Sequence, residues 1–452
     1  MSPSPSVAPA APAPRVDLSR YLPAARAAAI PALDGWLSEA VGLVLEARGV
    51  RASIGDLYQL RPPGQAPIEA EVVGVRGDRT LMMPLGATQG LEVGTPVRRV
   101  GRAARAEVGP GLLGRVVDGL GRPLDGGPLP MLDAERPLHG APPSPLLRRP
   151  IDAQLPTGVR ALDGMLSLAE GQRIGIFAGG GVGKSTLLGM LIRRMRADVA
   201  VVALIGERGR EVEEFVNRTL GREGMQRAVV VAATSAEPPL VRARGALYAT
   251  AVAEHFRDQG LRVLLLMDSV TRYAMALREI GLAVGEPPTT KGYTPSVFAA
   301  LPRLLERAGT STGEGSITGL YTVLVEGDDL SDPIADAARA ILDGHVVLSR
   351  KLAERGHFPA IDVPRSVSRC MTSVVDPAHV ELAQRARGLL AAHAEAEDLV
   401  AIGAYQAGSV PRLDEALARM PALERFLVQP FEEQSDPAAV QAELRAIWED
   451  PT

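Results

Sequence analysis

The sequence predicts a multidomain α/β protein: a parallel-sheet core carrying a glycine-rich phosphate loop, a small closed β domain before it and a helical domain after it. Three observations carry this. Apolar runs alternate with helical stretches from Ile174 to Val325, a glycine loop joins the first run to a helix, and strand signals fade after about Arg369.

The chain opens on a tail, Met1 to Pro14, of Ala, Pro and Ser. It has neither the basic start nor the apolar block of a secretory signal, so it reads as disordered. Asp17 to Ile30 reads as a short helix interrupted by Pro23. Short runs such as Val41-Gly-Leu-Val-Leu45, Val72-Val-Gly-Val75 and Thr80-Leu-Met-Met83 follow, punctuated by Gly, Pro and Asp. Such spacing suggests a small closed sheet or barrel. Gly109 to Pro156 is dense in glycine and proline and reads as a looped connection.

The core strands are expected at Ile174–Phe177, Val199–Ile205, Val229–Ala233, Val263–Met267 and Leu320–Val325. Runs this apolar suit strands covered on both faces, as in a parallel sheet. From about Arg369 to Trp448 the composition favours a helical bundle. The domains expected are a tail over 1–34, a β domain over 35–102, the core over 103–372 and the helical domain over 373–452.

Composition narrows the function. The 452 residues are 46% hydrophobic and 23% charged, with a formal charge of −4, so no global basic field exists to drive non-specific binding to nucleic acid. The lone cysteine, Cys370, excludes an internal disulfide and fits a cytoplasmic setting. No apolar stretch approaches the roughly 18 residues needed to span a bilayer. Only Lys184, Lys291 and Lys351 occur among the lysines, and arginine supplies every other basic side chain. One of these rare lysines lies in the glycine loop.

That loop is Ala178-Gly179-Gly180-Gly181-Val182-Gly183-Lys184-Ser185-Thr186, set between a strand and a helix. Glycines let backbone N–H groups turn around phosphate oxygens, and the helix N-terminus adds its positive end. Lys184 is expected on the β- and γ-phosphates and Ser185 on magnesium, with Thr186 beside it. Ala178 stands where the strict motif has glycine, which an ordinary backbone angle tolerates.

Asp268 ends an apolar strand, where a carboxylate can hold the magnesium ion through water. Alone, such an aspartate reads as a turn or helix cap. Glu207 follows another strand, on the edge where the loop lies, and is expected to orient the water that attacks the γ-phosphate. The bland alternative is a surface carboxylate paired with Arg208 or Arg210.

Longer blocks extend the pattern: Gly111–Asp125, Gly206–Val212, Ala253–Gln259, Asp268–Tyr273, Gly285–Pro288, Gly292–Arg307, Ile341–Arg350 and Phe358–Val363. Together they resemble the catalytic subunits of rotary ATP synthases and, more closely, the type III secretion export ATPases of flagella and injectisomes. The resemblance runs from about Val41 to about Phe431. It implies a RecA-like P-loop ATPase core, a small N-terminal β-barrel, a C-terminal helical domain and a homohexamer with ATP and Mg²⁺ at subunit interfaces.

The resemblance also implies roles for single residues. Glu207 matches the catalytic glutamate, Asp268 the magnesium-site aspartate, and Arg369 the arginine that a neighbouring subunit inserts toward the γ-phosphate, with Arg365 as second choice. Phe358 matches the aromatic that packs on adenine. The family further implies a stator or membrane contact at the N-terminal tail, a central stalk, and export chaperones and substrates at the C-terminal domain. It places such an enzyme in the cytoplasm at the inner face of the membrane. Three other readings compete: a rotary catalytic subunit, a hexameric RNA translocase, and a non-catalytic nucleotide-binding scaffold.

Overall fold

The computed structural model describes residues 35–101, 105–325, 327 and 329–449. The tail over 1–34, with its expected disorder, short helix and stator contact, lies outside the described residues.

Six short strands form the first domain: β1 (Gly35–Val41), β2 (Val44–Arg48), β3 (Leu57–Leu60), β4 (Ile68–Arg76), β5 (Arg79–Pro84) and β6 (Pro96–Gly101). They close into an antiparallel barrel in the order β1-β2-β5-β4-β3-β6, with β6 returning to β1. Closure leaves no open edge. Two of its hairpins have two-residue loops, and Gly42 and Gly77 supply the left-handed φ of +57° and +62° that such tight connections need. Leu37, Leu45, Tyr58, Leu60, Val72, Met82 and Val97 fill the interior.

The connection after the barrel is less irregular than its composition suggests. β7 (Arg105–Val108) pairs with β9 (Ala134–Pro137) as a ribbon, and between them β8 (Val116–Val117) joins the edge of the main sheet beside β12 (Ala228–Ala233). A two-residue strand is too short to leave an apolar run in the sequence.

The main sheet contains β10 (Arg173–Ala178), β11 (Val199–Ile205), β12 (Ala228–Ala233), β13 (Arg262–Asp268), β14 (Gly309–Thr310), β15 (Ser316–Leu324), β16 (Gly344–Val347) and β17 (Val367–Ser368). Its order is β17-β16-β10-β15-β13-β11-β12-β8, with β14 paired beside β15. Every pairing from β16 to β8 along this path is parallel. Alternate residues feed opposite cores: Val199, Val201, Ala203 and Ile205 face one, while Ala200, Val202 and Leu204 face the other. This two-sided burial is why the strands read as unbroken apolar runs.

The parallel arrangement fixes the functional geometry. Register sets Ala178 opposite Leu324 and Leu204 opposite Asp268, so the segments leaving β10, β11, β13 and β15 emerge along one edge. Ligands bind at this carboxyl edge in open α/β sheets.

Helices Pro377–Ala401, Pro411–Leu427 and Pro437–Glu449 make the C-terminal domain. Phe426, Val440 and Leu444 pack into the same core as the sheet face beneath the helix Lys184–Arg194. Gly164 is required at this joint, because a side chain there would meet the Phe426 ring at 2.7 Å.

The helix Pro239–Asp258 lies behind the sheet and is buried along nearly its whole length. Arg244 on it pairs with Glu71 of the barrel, and Glu254 accepts two bonds from Arg307 at 2.9 and 2.7 Å. Arg307 also donates to the Leu138 carbonyl at 2.6 Å and is 1% exposed. One helix thereby ties the barrel, the connection and the sheet together through desolvated charges. Removing one partner strands the other, which outweighs anything the lost contact itself contributes. Arg307→Met is expected to lower unfolding stability by about 3–5 kcal/mol, while Glu254→Leu with Arg307→Met recovers most of the loss. A urea unfolding midpoint that hardly moves in the single variant would refute this role.

Candidate active site at the carboxyl edge of the sheet

β10 ends in Ala178, still in strand register opposite Leu324 and fully buried, with its carbonyl accepting from Val325 N at 3.1 Å. No left-handed angle is needed at this position, so the methyl is harmless. The turn is made further on, by Gly181 at φ +77° and Gly183 at φ +84°. Val182 between them is 1% exposed and anchors the loop in the core. The helix Lys184–Arg194 then begins, bringing Ser185 and Thr186 into its first turn on the wall of the cleft.

The Lys184 ammonium reaches Asp268 at 2.5 Å and lies 3.9 Å from Glu207. Asp268 is the last residue of β13, 5% exposed, and also accepts from the Thr322 hydroxyl at 2.7 Å. The peptide from Asp268 to Ser269 is cis. Ser269 then caps the helix Val270–Ala283 by accepting from Arg272 N at 3.2 Å. The cap and the carboxylate are thus adjacent residues with separate tasks.

Glu207 reaches the same point from β11. Gly206, at φ +71°, lets the chain leave the strand beneath Arg272, where a side chain would meet the Arg272 methylenes at 2.9 Å. Glu207 is 9% exposed, and its buried Oε1 has no hydrogen-bond partner. Burial, a hydrogen bond with Glu211 and the negative charge of Asp268 push its carboxyl up to about 8, against the opposing pull of Lys184. The same hydrogen bond holds Glu211 below its ordinary value. The two carboxyl groups are thereby pushed in opposite directions, Glu207 up and Glu211 down.

These groups line a cleft of about 890 Å³ together with Thr271, Arg272, Lys291, Tyr293, Asp332 and Arg350. Sequence reasoning missed Glu211, Thr322, Arg272 and Arg350 as parts of the site. Glu211 had a signal, four residues beyond Glu207 in a charged run. Thr322 had none, because it sits inside an apolar strand.

Phe358, 40% exposed, lies against the loop, with ring carbons 3.3 Å from where a Gly183 side chain would begin. Phe431 is elsewhere, packed on Gly189 along the helix with Arg193 5.1 Å from its ring centre.

Arg369 is not brought to Lys184. It follows β17, whose Ser368 pairs with Gly344 at the start of β16, so it lies at the amino edge, opposite the phosphate loop. Its backbone N–H donates to Asp343 O at 3.0 Å and its exposed side chain reaches Arg339 O at 3.4 Å. Arg365 is exposed nearby. Burial, together with the charges of Arg339, Arg369 and Arg387, holds His345 below its ordinary range.

Comparison with known proteins agrees with this architecture. Residues 37–101 match the beta-barrel domain of the ATP synthase alpha/beta family, 158–368 its nucleotide-binding domain, and 375–446 the T3SS EscN ATPase C-terminal domain. The flagellum-specific ATP synthase of Pseudomonas aeruginosa is 50% identical over 434 residues, 95% of this chain and 96% of that one. The type 3 secretion system ATPase of Xanthomonas euvesicatoria is 52% identical, over 89% of this chain and 91% of the relative. The assembled ATPase EscN of the enteropathogenic E. coli type III secretion system superposes with a TM-score of 0.87 at 45% identity, over 91% of this chain and 99% of EscN. The same ATPase in complex with its central stalk EscO gives a TM-score of 0.84. With barrel, nucleotide-binding and C-terminal domains all matched, and relatives half identical over nearly the whole length, this chain belongs to the ATP synthase alpha/beta family, in the branch of the flagellum-specific ATP synthases and type 3 secretion system ATPases.

Proposed function

We propose that this protein is an ATP hydrolase that energises protein export through a type III secretion apparatus, flagellar or injectisome, acting as a homohexameric ring. One observation carries the catalytic part: Lys184, Glu207 and Asp268 converge in one cleft at the end of a phosphate loop, with Glu207 buried and its Oε1 without a hydrogen bond. A scaffold that only bound nucleotide would have no use for that costly buried carboxyl.

Ala178 to Thr186 cradle the phosphates, and Lys184 exchanges Asp268 for the β- and γ-oxygens. The donors available for Mg²⁺ are the Ser185 hydroxyl and the Asp268 carboxylate, hard oxygens of the kind this cation prefers, and the buried Glu207 oxygen, without a hydrogen bond, gives a polar wall beside them. The cation, when bound, supplies charge neutralisation on the phosphate oxygens. Glu207 orients the attacking water and accepts its hydrogen bond, and a carboxyl shifted toward neutrality suits that exchange.

Arg369 completes the site from the neighbouring copy. Its exposed place at the opposite edge of the sheet prevents it from serving its own Lys184 and turns it outward, toward a partner's cleft. Such fingers contribute roughly 10³ to 10⁵ in rate.

Several points favour export over the alternatives. The C-terminal region matches the T3SS EscN ATPase domain, which separates it from the rotary catalytic subunits. Of the barrel's two aromatics Tyr58 is 1% exposed and Trp36, 50% exposed, stands alone, which is no platform for stacking successive bases as an RNA translocase requires. Among the described residues no helix is long and apolar enough to cross a membrane. The working position we assign, from the likeness to the type III export enzymes, is cytoplasmic and peripheral to the membrane, with the tail over 1–34 meeting a stator. A central stalk is a partner of this ring in our reading, which the complex of EscN with its central stalk EscO supports, and we assign chaperones with their export substrates to the C-terminal domain.

Glu207→Gln is expected to keep ATP affinity within about twofold while turnover falls by at least about 10², the scale of general acid–base and water-positioning effects. Normal turnover in this variant would remove Glu207 from the role. Arg369→Ala is expected to be inactive alone and partly rescued by mixing with Lys184→Ala chains, since each then supplies what the other lacks. Mixed assemblies that never regain activity would count against a site shared between copies.

A further inference from the structure

Phe358 sits on the phosphate loop, in a segment tied locally by His357 N to Leu352 O at 3.0 Å and by Ser349 N to Ala360 O at 2.8 Å, but neither bond is made by Phe358 itself. The Phe358–Pro359 step follows the short helix Arg350–Glu354, and the ring is 40% exposed. The bond on the Phe358 carbonyl comes from the C-terminal domain. Gln429, just past the helix Pro411–Leu427, donates its backbone N–H to the Phe358 carbonyl at 2.9 Å.

The side chain of Gln429 is 2% exposed and its amide is fully used. Oε1 accepts from Arg160 N at 2.8 Å, while Nε2 donates to Gly158 O and to Glu433 O, each at 2.9 Å. Only a primary amide offers an acceptor and two donors in this shape. The carbonyl of Gly158 also accepts from Arg194 at 3.2 Å, and Arg194 is the last residue of the phosphate-loop helix. Two residues beyond Gln429, Phe431 packs on Gly189 of that helix. The same short segment thus grips both the platform and the far half of the helix whose first residue is Lys184.

We infer that Gln429 is a positioning residue for nucleotide selection: through Phe358 it sets the gap between the base platform and the phosphate loop, and so governs affinity for the nucleoside part of ATP. The inference rests on the reading of Phe358 as the surface that packs on adenine. It assigns Gln429 no contact with the reacting phosphates. The consequence is a separation of terms. Loosening Gln429 weakens recognition of the base while the phosphate loop, held by its own strand and helix, binds a bare triphosphate as before.

The test uses the full-length chain with two probes, ATP and inorganic tripolyphosphate, titrated calorimetrically beside steady-state hydrolysis. Gln429→Met keeps volume but loses every side-chain hydrogen bond, and Gln429→Glu keeps the acceptor and the shape. Both are checked for a cooperative thermal transition, and the glutamate variant decides the matter if the methionine variant does not fold. The expected result is an ATP affinity weakened about 5- to 20-fold, the scale of one lost base–aromatic contact, with KM raised to match. Tripolyphosphate affinity and kcat should stay within about twofold, and adding Phe358→Ala should produce little further loss. Equal weakening of ATP and tripolyphosphate would mark Gln429 as a general structural support and overturn the inference. So would unchanged ATP affinity in a Gln429 variant when Phe358→Ala alone weakens it. If Phe358→Ala binds ATP normally while the Gln429 variants do not, the platform reading itself falls and the route through Phe358 falls with it.

Discussion

The contact between Lys184 and Asp268 at 2.5 Å is the constraint around which the rest is arranged. It joins the helix after β10 to the end of β13, two strands separated in the sheet only by β15. Thr322 of that intervening strand holds the same Asp268 oxygen. Three neighbouring strands therefore meet at one carboxylate. Lys184 here faces the carboxyl groups of Asp268 and Glu207, with Glu211 in the same cleft, and their crowding pushes Glu207 up and holds Glu211 down. The carboxyl groups gathered on Lys184 offer oxygen donors to a cation, and phosphates entering the cleft would draw the ammonium away.

The remainder of the fold serves to hold that point still. Both faces of the sheet are buried, and the helix Pro239–Asp258 is locked to the barrel and to Arg307 by desolvated ion pairs. Charges buried in this way add little net stability compared with an apolar packing, but they tolerate only one arrangement. The C-terminal domain contributes differently. It reaches the loop from above through Gln429 and Phe358, so its position is felt at the nucleotide side rather than at the carboxyl groups.

Much of this was legible in the sequence, for identifiable reasons. The central strands are covered on both faces, so they appear as plain apolar runs, and the phosphate loop is dense in glycine because Gly181 and Gly183 adopt left-handed angles. Where the signal is local, as for Lys184 or for Asp268 at a strand end, position followed from pattern. Where partners come from distant segments, pattern was silent. Thr322 looks like any strand residue until its neighbour is known, and Gln429 is one polar residue after a helix until Gly158, Arg160 and Phe358 surround it. β8 and β16 were missed because two and four residues are too few to show a period. The role of Arg369 came only from resemblance, since a residue that works on another copy leaves no trace in its own surroundings beyond exposure and like-charged neighbours.

The central claim is that one chain holds an incomplete site, with phosphate loop and carboxyl groups at one edge of the sheet and the completing arginine at the other. Specific ATPase activity measured across a protein dilution series, with the assembly state followed by light scattering in the same samples, tests this directly. The account predicts that activity per chain rises with the assembled fraction and nearly vanishes in the monomer. A dilute monomer that hydrolyses ATP at the full rate per chain would contradict it.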